Sequence, residues 1–226
     1  MWNVKQYKKN YGIVKAIRVL LHYGLVATKK IRKQNLDQII DVNGYKLALI
    51  PGDSGISSEL MMFKTHEPLT TNLLSKELKK DMVCLDVGGN IGYYTLLESN
   101  IVGSGGKVIA IEPSPPNFQR LKKNLEIQDT ENVDAYNFAA GDVDGSINFL
   151  VYQESNGSFT IPDGETTDLP GELIKVKAKR LDTFLDELKI SNVDFVRMDV
   201  EGYEFHIIEG MKNTIEKFKP MFQIEV

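Results

Sequence analysis

Residues 83–95, VCLDVGGNIGYYT, constrain this chain more than any other stretch. A short apolar run interrupted only by Asp86 leads to glycines at 88, 89 and 92, and helix-compatible sequence follows. That order predicts a buried strand whose carboxyl end meets a ligand through bare backbone, with a carboxylate fixed beside it. A second acid, Glu112, closes the next apolar run, Lys107 to Ile111, and Pro113 stiffens the chain after it. From residue 82 onward the pattern alternates. Strands are expected at 82–87, 107–111, 133–138, 193–198 and 221–226, and helices at 91–101, 114–127, 181–188 and 201–217. The expected class is α/β, with a mostly parallel sheet and helices on both faces.

Chemistry follows from what those strand ends carry. Gly88, Gly89 and Gly92 let the backbone approach a ligand with no Cβ in the way. The helix beginning near Ile91 points free N–H groups and its positive dipole end toward that ligand, which favours a carboxylate. Asp86 supplies the opposite charge for an ammonium. Glu112, twenty-six residues beyond Asp86, is suited to a bidentate grip on two ribose hydroxyls. Asp142, after the third strand, is a candidate partner for an adenine amino group. A nucleoside bearing a cationic amino-acid chain fits all of these, and S-adenosylmethionine has that shape. A nicotinamide dinucleotide fits less well, because the glycine spacing is not G-x-G-x-x-G and Asp86 would face a pyrophosphate. Asp199 and Glu201 end the strand at 193–198 and reach the same sheet edge. Either is a candidate to accept a proton from a hydroxyl undergoing methylation. His206, one helical turn on, reads as a histidine packed on its helix. Asp199, Glu201 and Glu225 are the only acids placed to converge on a divalent ion, and without a Cys/His cluster the site is read as metal-free.

Charge separates the ends of the chain. Residues 1–40 carry nine Lys/Arg against one acid, the remainder eighteen against thirty, for a net charge of −4. The acidic body argues against nucleic acid as a partner. Within 4–33, apolar residues recur at spacings of three and four between the basic ones, predicting a basic helical extension over 1–40. That extension either packs on the protein or a partner subunit, or lies against an anionic membrane face. No signal peptide or spanning segment is expected: Arg18 and His22 interrupt the apolar stretch at 16–27, and no small-residue cleavage site follows. Cys84, the single cysteine, excludes an internal disulfide and fits a reducing compartment, giving a cytoplasmic location, at the inner membrane surface if the extension binds there. The main domain is assigned to 41–226, its cofactor-binding core starting near 82. A hairpin is expected over 38–50, turning at Asn43-Gly44. Helices follow over 56–80, with Ser57 or Ser58 and Thr70 or Thr71 as caps, and Ser114 caps the helix after Glu112. Residues 141–180 read as an added antiparallel pair joined by a loop at 153–171 that serves as a lid.

With these residues in view, the chain from 42 to 226 resembles the FkbM family of S-adenosylmethionine-dependent methyltransferases. The likeness lies in four blocks: Glu67-Pro68 with Thr70, LDVGGNIGYYTLL at 85–97, GKVIAIEPSPPNFQRLKKNL at 106–125, and VDFVRMDVEGYEFHIIEGM at 193–211. Lys219-Pro220 and Glu225 also fit. The resemblance implies a Rossmann-like class I methyltransferase fold and O-methylation of a saccharide, glycolipid or natural-product hydroxyl. It implies that Asp86, Gly88, Asn90 and Glu112 hold the cofactor, that Asp199 and Glu201 face the reaction centre, and that Asn156 and Ser158 border it. Gly89 stands where the family usually has alanine. Val226 falls at the end of the expected fifth strand, where the superfamily adds a helix and a strand pair. Either the 38–50 hairpin covers that sheet edge or the domain is shortened. The alternatives are an NAD(P)-dependent oxidoreductase and an inactive cofactor-binding module docked through the basic extension. Oligomeric state and the acceptor's identity are not legible in the sequence.

Overall fold

Alternation with period two along residues 83–87 decides the architecture. Leu85 and Val87 pack into one hydrophobic core, with Ile109, Ile111, Val196 and Met198. Cys84 packs into another, with Val108 and Phe195. A sheet with a core on each face follows.

The computed structural model describes residues 38–225 apart from 54, 153–156, 162–167 and 170; the expected basic extension and most of the expected lid lie outside those residues, as does Asn156. In chain order the first elements are β1 (Ile39–Val42), β2 (Tyr45–Ala48), α1 (Ile56–Phe63), α2 (Pro68–Glu77), β3 (Val83–Val87), α3 (Tyr93–Val102), β4 (Lys107–Ile111), α4 (Pro115–Ile127) and β5 (Val133–Tyr136). Then come β6 (Ala139–Gly141), β7 (Gly145–Val151), β8 (Phe159–Ile161), β9 (Glu172–Arg180), α5 (Leu181–Glu187), β10 (Phe195–Met198), α6 (Glu204–Glu209), α7 (Lys212–Phe218) and β11 (Met221–Ile224). Five strands form a wholly parallel sheet in the order β11-β10-β3-β4-β5. The order reverses direction at β3, so the carboxyl ends of β3, β4 and β10 open onto one crevice, where such sheets bind ligands.

Several boundaries differ from the sequence reading, each for a tertiary reason. The expected strand 133–138 stops at Tyr136, and residues 139–141 join a second sheet, β6-β9-β7-β8. The expected antiparallel pair is present there, with Ser146 opposite Lys177. The expected helix 201–217 is two helices. A Cβ on Gly210 would lie 1.8 Å from the Gly141 carbonyl oxygen, so α6 ends where its backbone touches β6. The Asp182 carboxylate then accepts from the backbone N–H groups of Asn213 and Thr214 at 3.0 and 2.8 Å, capping a fresh helix. Ser57, Ser58 and the Thr70/Thr71 pair are not caps. Asp53 accepts from the N–H groups of Gly55 and Ser57, and α2 starts at Pro68 behind a left-handed Glu67. Ser114 stands at the N-cap position of α4, but its hydroxyl makes no capping bond.

The Asn43-Gly44 hairpin turns with both residues at positive φ, 54° and 87°. It packs on α4 and does not lie along β11, which is outermost in the sheet among the described residues. Asn124 of α4, fully buried, ties the two parts together. Its Oδ1 accepts from the Ala48 N–H at 2.7 Å, and its Nδ2 donates to the carbonyls of Ala48 and Ile91 at 3.2 and 2.7 Å. Replacing it by alanine leaves buried backbone groups unpaired beside the glycine turn. Asn124→Ala should therefore cost about 2–4 kcal/mol in urea unfolding.

Candidate active site

The glycine turn is bent by its hydrogen bonds and by steric need. The N–H groups of Gly88 and Gly89 both donate to the Ile111 carbonyl, at 2.9 and 3.0 Å, tying the end of β3 to the end of β4. Gly88 has φ +89°, and a Cβ there would lie 2.0 Å from the Asp199 carbonyl oxygen. Only glycine lets β3 and β10 finish so close together. Gly92, at φ +92°, starts α3, and a Cβ there would meet Leu121 at 2.7 Å. Gly89 has room: a Cβ would sit 3.3 Å from the Thr95 hydroxyl, so the alanine usual in the resembling family is nearly accommodated.

Two cavities open at this sheet edge. The first runs from Gly88 past Glu112 to Ala140, Phe149 and Tyr203. The second lies toward α2 and α3 and is bounded by His66, Glu67, Tyr93, Tyr94, Arg197 and Glu225, with Gly89 on its wall. Gly88, Asn90, Asp199 and Glu201 belong to both walls.

Glu112 is set into the first cavity. Its two oxygens accept from the backbone N–H groups of Asn90 (2.7 Å) and Ser114 (2.8 Å). Burial pushes its carboxyl up to about 7, although both hydrogen bonds pull the other way. Glu201 sits in a left-handed conformation, φ +57°, which for a non-glycine residue is stored strain of the kind that gathers at functional sites. Burial and the nearby Asp199, Glu204 and Glu67 charges raise its pKa above the ordinary range. Glu225 is also pushed up to about 7, by burial, by the Asp199 and Glu67 charges, and by a hydrogen bond with Asp199. Asp199 and Glu225 thus share a hydrogen bond, and among the described residues no group of three or more His, Cys, Asp or Glu is arranged to hold a metal.

Asp86 stands elsewhere than the sequence reading assumed. It is fully buried and lines neither cavity. In the parallel register Arg197 of β10 lies directly beside it. The Arg197 guanidinium donates to Asp86 Oδ1 at 3.2 Å through one nitrogen and to Asp199 Oδ2 at 2.6 Å through the other, while Thr95 donates to Asp86 Oδ2 at 2.5 Å. Desolvation works to discharge Arg197, but the Asp86 and Asp199 charges outweigh it and the net shift is upward. Its guanidinium also lies 4.1 Å from the centre of the Tyr94 ring. Asp86 is therefore joined to the cavity walls through Arg197 and Asp199. Asp142 likewise lines neither cavity, its carboxylate lying 2.9 Å from His206 Nδ1. His206 stacks on Tyr203 at 4.3 Å between ring centres. Gly92 shapes the turn without touching either cavity, and Ser158 lines the first.

Arg197, His66, Tyr93 and Tyr94 escaped the sequence reading. A cation inside the apolar run Phe195-Val196-Arg197-Met198 was the available signal for the first of them. Such a residue must be paired when buried, and Asp86 is the acid at the matching position of the neighbouring parallel strand. Tyr93 and Tyr94 come from a helix, and His66 from a turn between helices, whose position against the sheet no local pattern encodes.

A parallel sheet with this strand order, a glycine turn and a strand-end acid on a cavity define a Rossmann-like methyltransferase. The chain belongs to the FkbM methyltransferase family, whose domain model, described as "Methyltransferase FkbM domain", matches residues 86–226. A second model, for protein-L-isoaspartate(D-aspartate) O-methyltransferase, matches residues 4–147. Among similar proteins, Methyltransferase 1 of Beauveria bassiana is 26% identical over 147 residues, which is 58% of this chain and 59% of that one. Hexuronic acid methyltransferase AglP of Haloferax volcanii is 27% identical, covering 64% of this chain and 56% of that one. 2-O-methyltransferase NoeI of Sinorhizobium fredii is 26% identical, covering 72% and 69%. This chain thus spans under three-fifths of the length of the first two. A solved FkbM methyltransferase from Methylobacillus flagellatus KT aligns over 66% of this chain and 34% of its own, with TM-score 0.46 and 22% identity.

S-adenosylmethionine is the cofactor this family implies, and the first cavity fits it. Glu112 offers an acceptor for ribose hydroxyls, Gly88 leaves backbone bare, and Ile111, Ala140 and Phe149 give apolar walls for a flat base. Two predictions follow from the charges. Arg197→Met strands two carboxylates and should destabilise the protein by about 3–5 kcal/mol in urea unfolding, with Arg197→Lys restoring only part, since one ammonium bridges both acids poorly. Glu112 must be ionised to accept from two hydroxyls, and its proton is taken up as pH falls through about 7. Affinity for S-adenosylhomocysteine, measured by calorimetry, should be flat above pH 8 and weaken toward about tenfold per unit well below 7. Glu112→Gln should bind more weakly and lose that dependence.

Proposed function

We propose that this protein is an S-adenosylmethionine-dependent O-methyltransferase acting on a hydroxyl of a neutral saccharide, free or carried on a lipid or natural product. The observation that carries the reading is the shared wall. Two cavities of different character meet at Gly88, Asn90, Asp199 and Glu201, so a cofactor in one and an acceptor in the other can react across it. When bound, S-adenosylmethionine supplies a methyl group activated by its sulfonium. Asp199, held by Arg197, and Glu201 at its strained turn are positioned to accept hydrogen bonds from the acceptor and align its reacting oxygen.

Charge argues for the acceptor class. Glu67, Asp199, Glu201 and Glu225 border the second cavity against one guanidinium, that of Arg197. An anionic sugar carboxylate entering there meets repulsion, whereas neutral hydroxyls find acceptors and the Tyr93 and Tyr94 rings. The name of one relative, a 2-O-methyltransferase, supports a hydroxyl as the acceptor group; that of another, a hexuronic acid methyltransferase, supports a sugar but an anionic one. Family membership removes the nicotinamide oxidoreductase alternative.

The test is transfer of isotope-labelled methyl from S-adenosylmethionine to a panel of neutral methyl glycosides and matching uronosides, with products read by mass spectrometry. O-methylated neutral glycosides are expected. Methyl esters of uronosides in their place, or no transfer at all by protein that binds S-adenosylhomocysteine, would overturn the reading. No transfer would instead favour an inactive cofactor-binding module.

A cytoplasmic reaction at an anionic membrane surface goes with this reading, motivated by the basic surplus of residues 1–40. Among the described residues no helix is long and apolar enough to cross a membrane. Flotation with anionic liposomes should lose the protein when residues 1–40 are removed; equal flotation of both forms discards this role.

A further inference from the structure

One side chain of the second cavity has the arrangement of an oriented base. His66 lies in the turn between α1 and α2, and its Nδ1 is 2.7 Å from Glu59 Oε2 of α1. Both side chains are nearly buried, 12% and 14% exposed. A carboxylate can only accept here, so Nδ1 carries the hydrogen, and in the neutral form of the ring the lone pair is at Nε2. The ring is fixed edge-on to Tyr93, with centres 5.8 Å apart and planes at 86°, and lies 5.8 Å from the Tyr94 ring. Its backbone is held too, since the His66 carbonyl accepts from the Thr71 hydroxyl at 2.7 Å. The nearest carboxylate oxygen to Nε2, from Glu67, is 3.9 Å away, too far for a hydrogen bond, and His66 stands on the cavity wall.

The strand-end acids are less suited to taking a proton. Asp199 Oδ2 is bound to Arg197 at 2.6 Å and its carboxyl is hydrogen-bonded with Glu225. Glu201 lies in the loop after β10, and among the described residues no third group orients it in the way Glu59 orients His66. The other imidazole–carboxylate pair, His206 with Asp142, reaches neither cavity wall.

We propose that the second cavity receives the acceptor hydroxyl and that His66, oriented by Glu59, is the base that removes its proton. The inference rests on the O-methyl transfer proposed above. The hydroxyl oxygen forms the new O–C bond to the methyl carbon. The S–C bond breaks with its electron pair left on sulfur, and the hydroxyl proton passes to His66 Nε2. The imidazolium so formed is balanced by the Glu59 carboxylate, which is a positioning residue.

The experiment compares the full-length protein with His66→Gln and Glu59→Gln. Each is tested for S-adenosylhomocysteine binding by calorimetry and for methyl transfer to the neutral glycosides. His66→Gln should bind S-adenosylhomocysteine like the parent, which also reports that it is folded. Its kcat should fall about 10²- to 10⁴-fold and recover in part with added imidazole. Glu59→Gln should lower kcat by a smaller factor and leave KM for the glycoside unchanged. Unaltered kcat in His66→Gln overturns the inference, as does a loss of S-adenosylhomocysteine binding that parallels the loss of rate. If the parent binds S-adenosylhomocysteine yet methylates no hydroxyl, the proposed function falls and this inference with it. If the parent methylates and His66→Gln does so equally well, this inference alone falls.

Discussion

The bridge from Asp86 through Arg197 to Asp199 holds the reacting edge of this protein together. A guanidinium presents its donors in a fixed planar fork, so one residue can bind two carboxylates at a set separation. Here it joins the last turns of two neighbouring parallel strands, and Thr95 adds a tie from α3 to the same Asp86. Each of these charges is costly to bury alone and tolerable only in company. Glu98, also on α3, lies fully buried nearby, and burial with the neighbouring Asp86 charge raises its pKa well above the ordinary carboxyl range.

Everything functional is referred to that frame. Gly88 must lack a side chain because Arg197 and the sheet register bring the Asp199 backbone against it. The same closeness makes one wall serve two cavities. On one side Glu112 and apolar side chains suit a nucleoside; on the other, acids, two tyrosines and the Glu59–His66 pair suit a polar acceptor. Both cavities border the same four residues, and in methyl transfer the acceptor oxygen must reach the methyl carbon from the side opposite the departing sulfur.

Much of this was legible in the chain. The run 83–95 specified strand, turn and helix because glycine positions and apolar alternation act locally, and the Asn43-Gly44 hairpin and Glu112 followed by the same reasoning. Boundaries were misread where distant backbone intervened. The contact of Gly210 with Gly141 ended α6 inside what reads as one long helix, and Asp182, from another element, started the next. Asp53 displaced Ser57 and Ser58 as a cap because a carboxylate reached the helix end from the preceding loop. Ser114 likewise makes no capping bond, and Pro116 removes one of the two N–H groups that an N-cap hydroxyl reaches.

The residues alone determined that a parallel sheet would present a glycine turn between two acids, because period-two patterning and turn chemistry are properties of short segments. Tertiary structure decided which of those acids faces a ligand. Asp86 and Arg197 stand 111 positions apart and become neighbours only when β3 and β10 pair in register; a buried carboxylate then binds the nearest cation and turns away from the cavity. Among the described residues Glu112 has no such cation beside it, only backbone N–H groups, and it stands on the cavity wall.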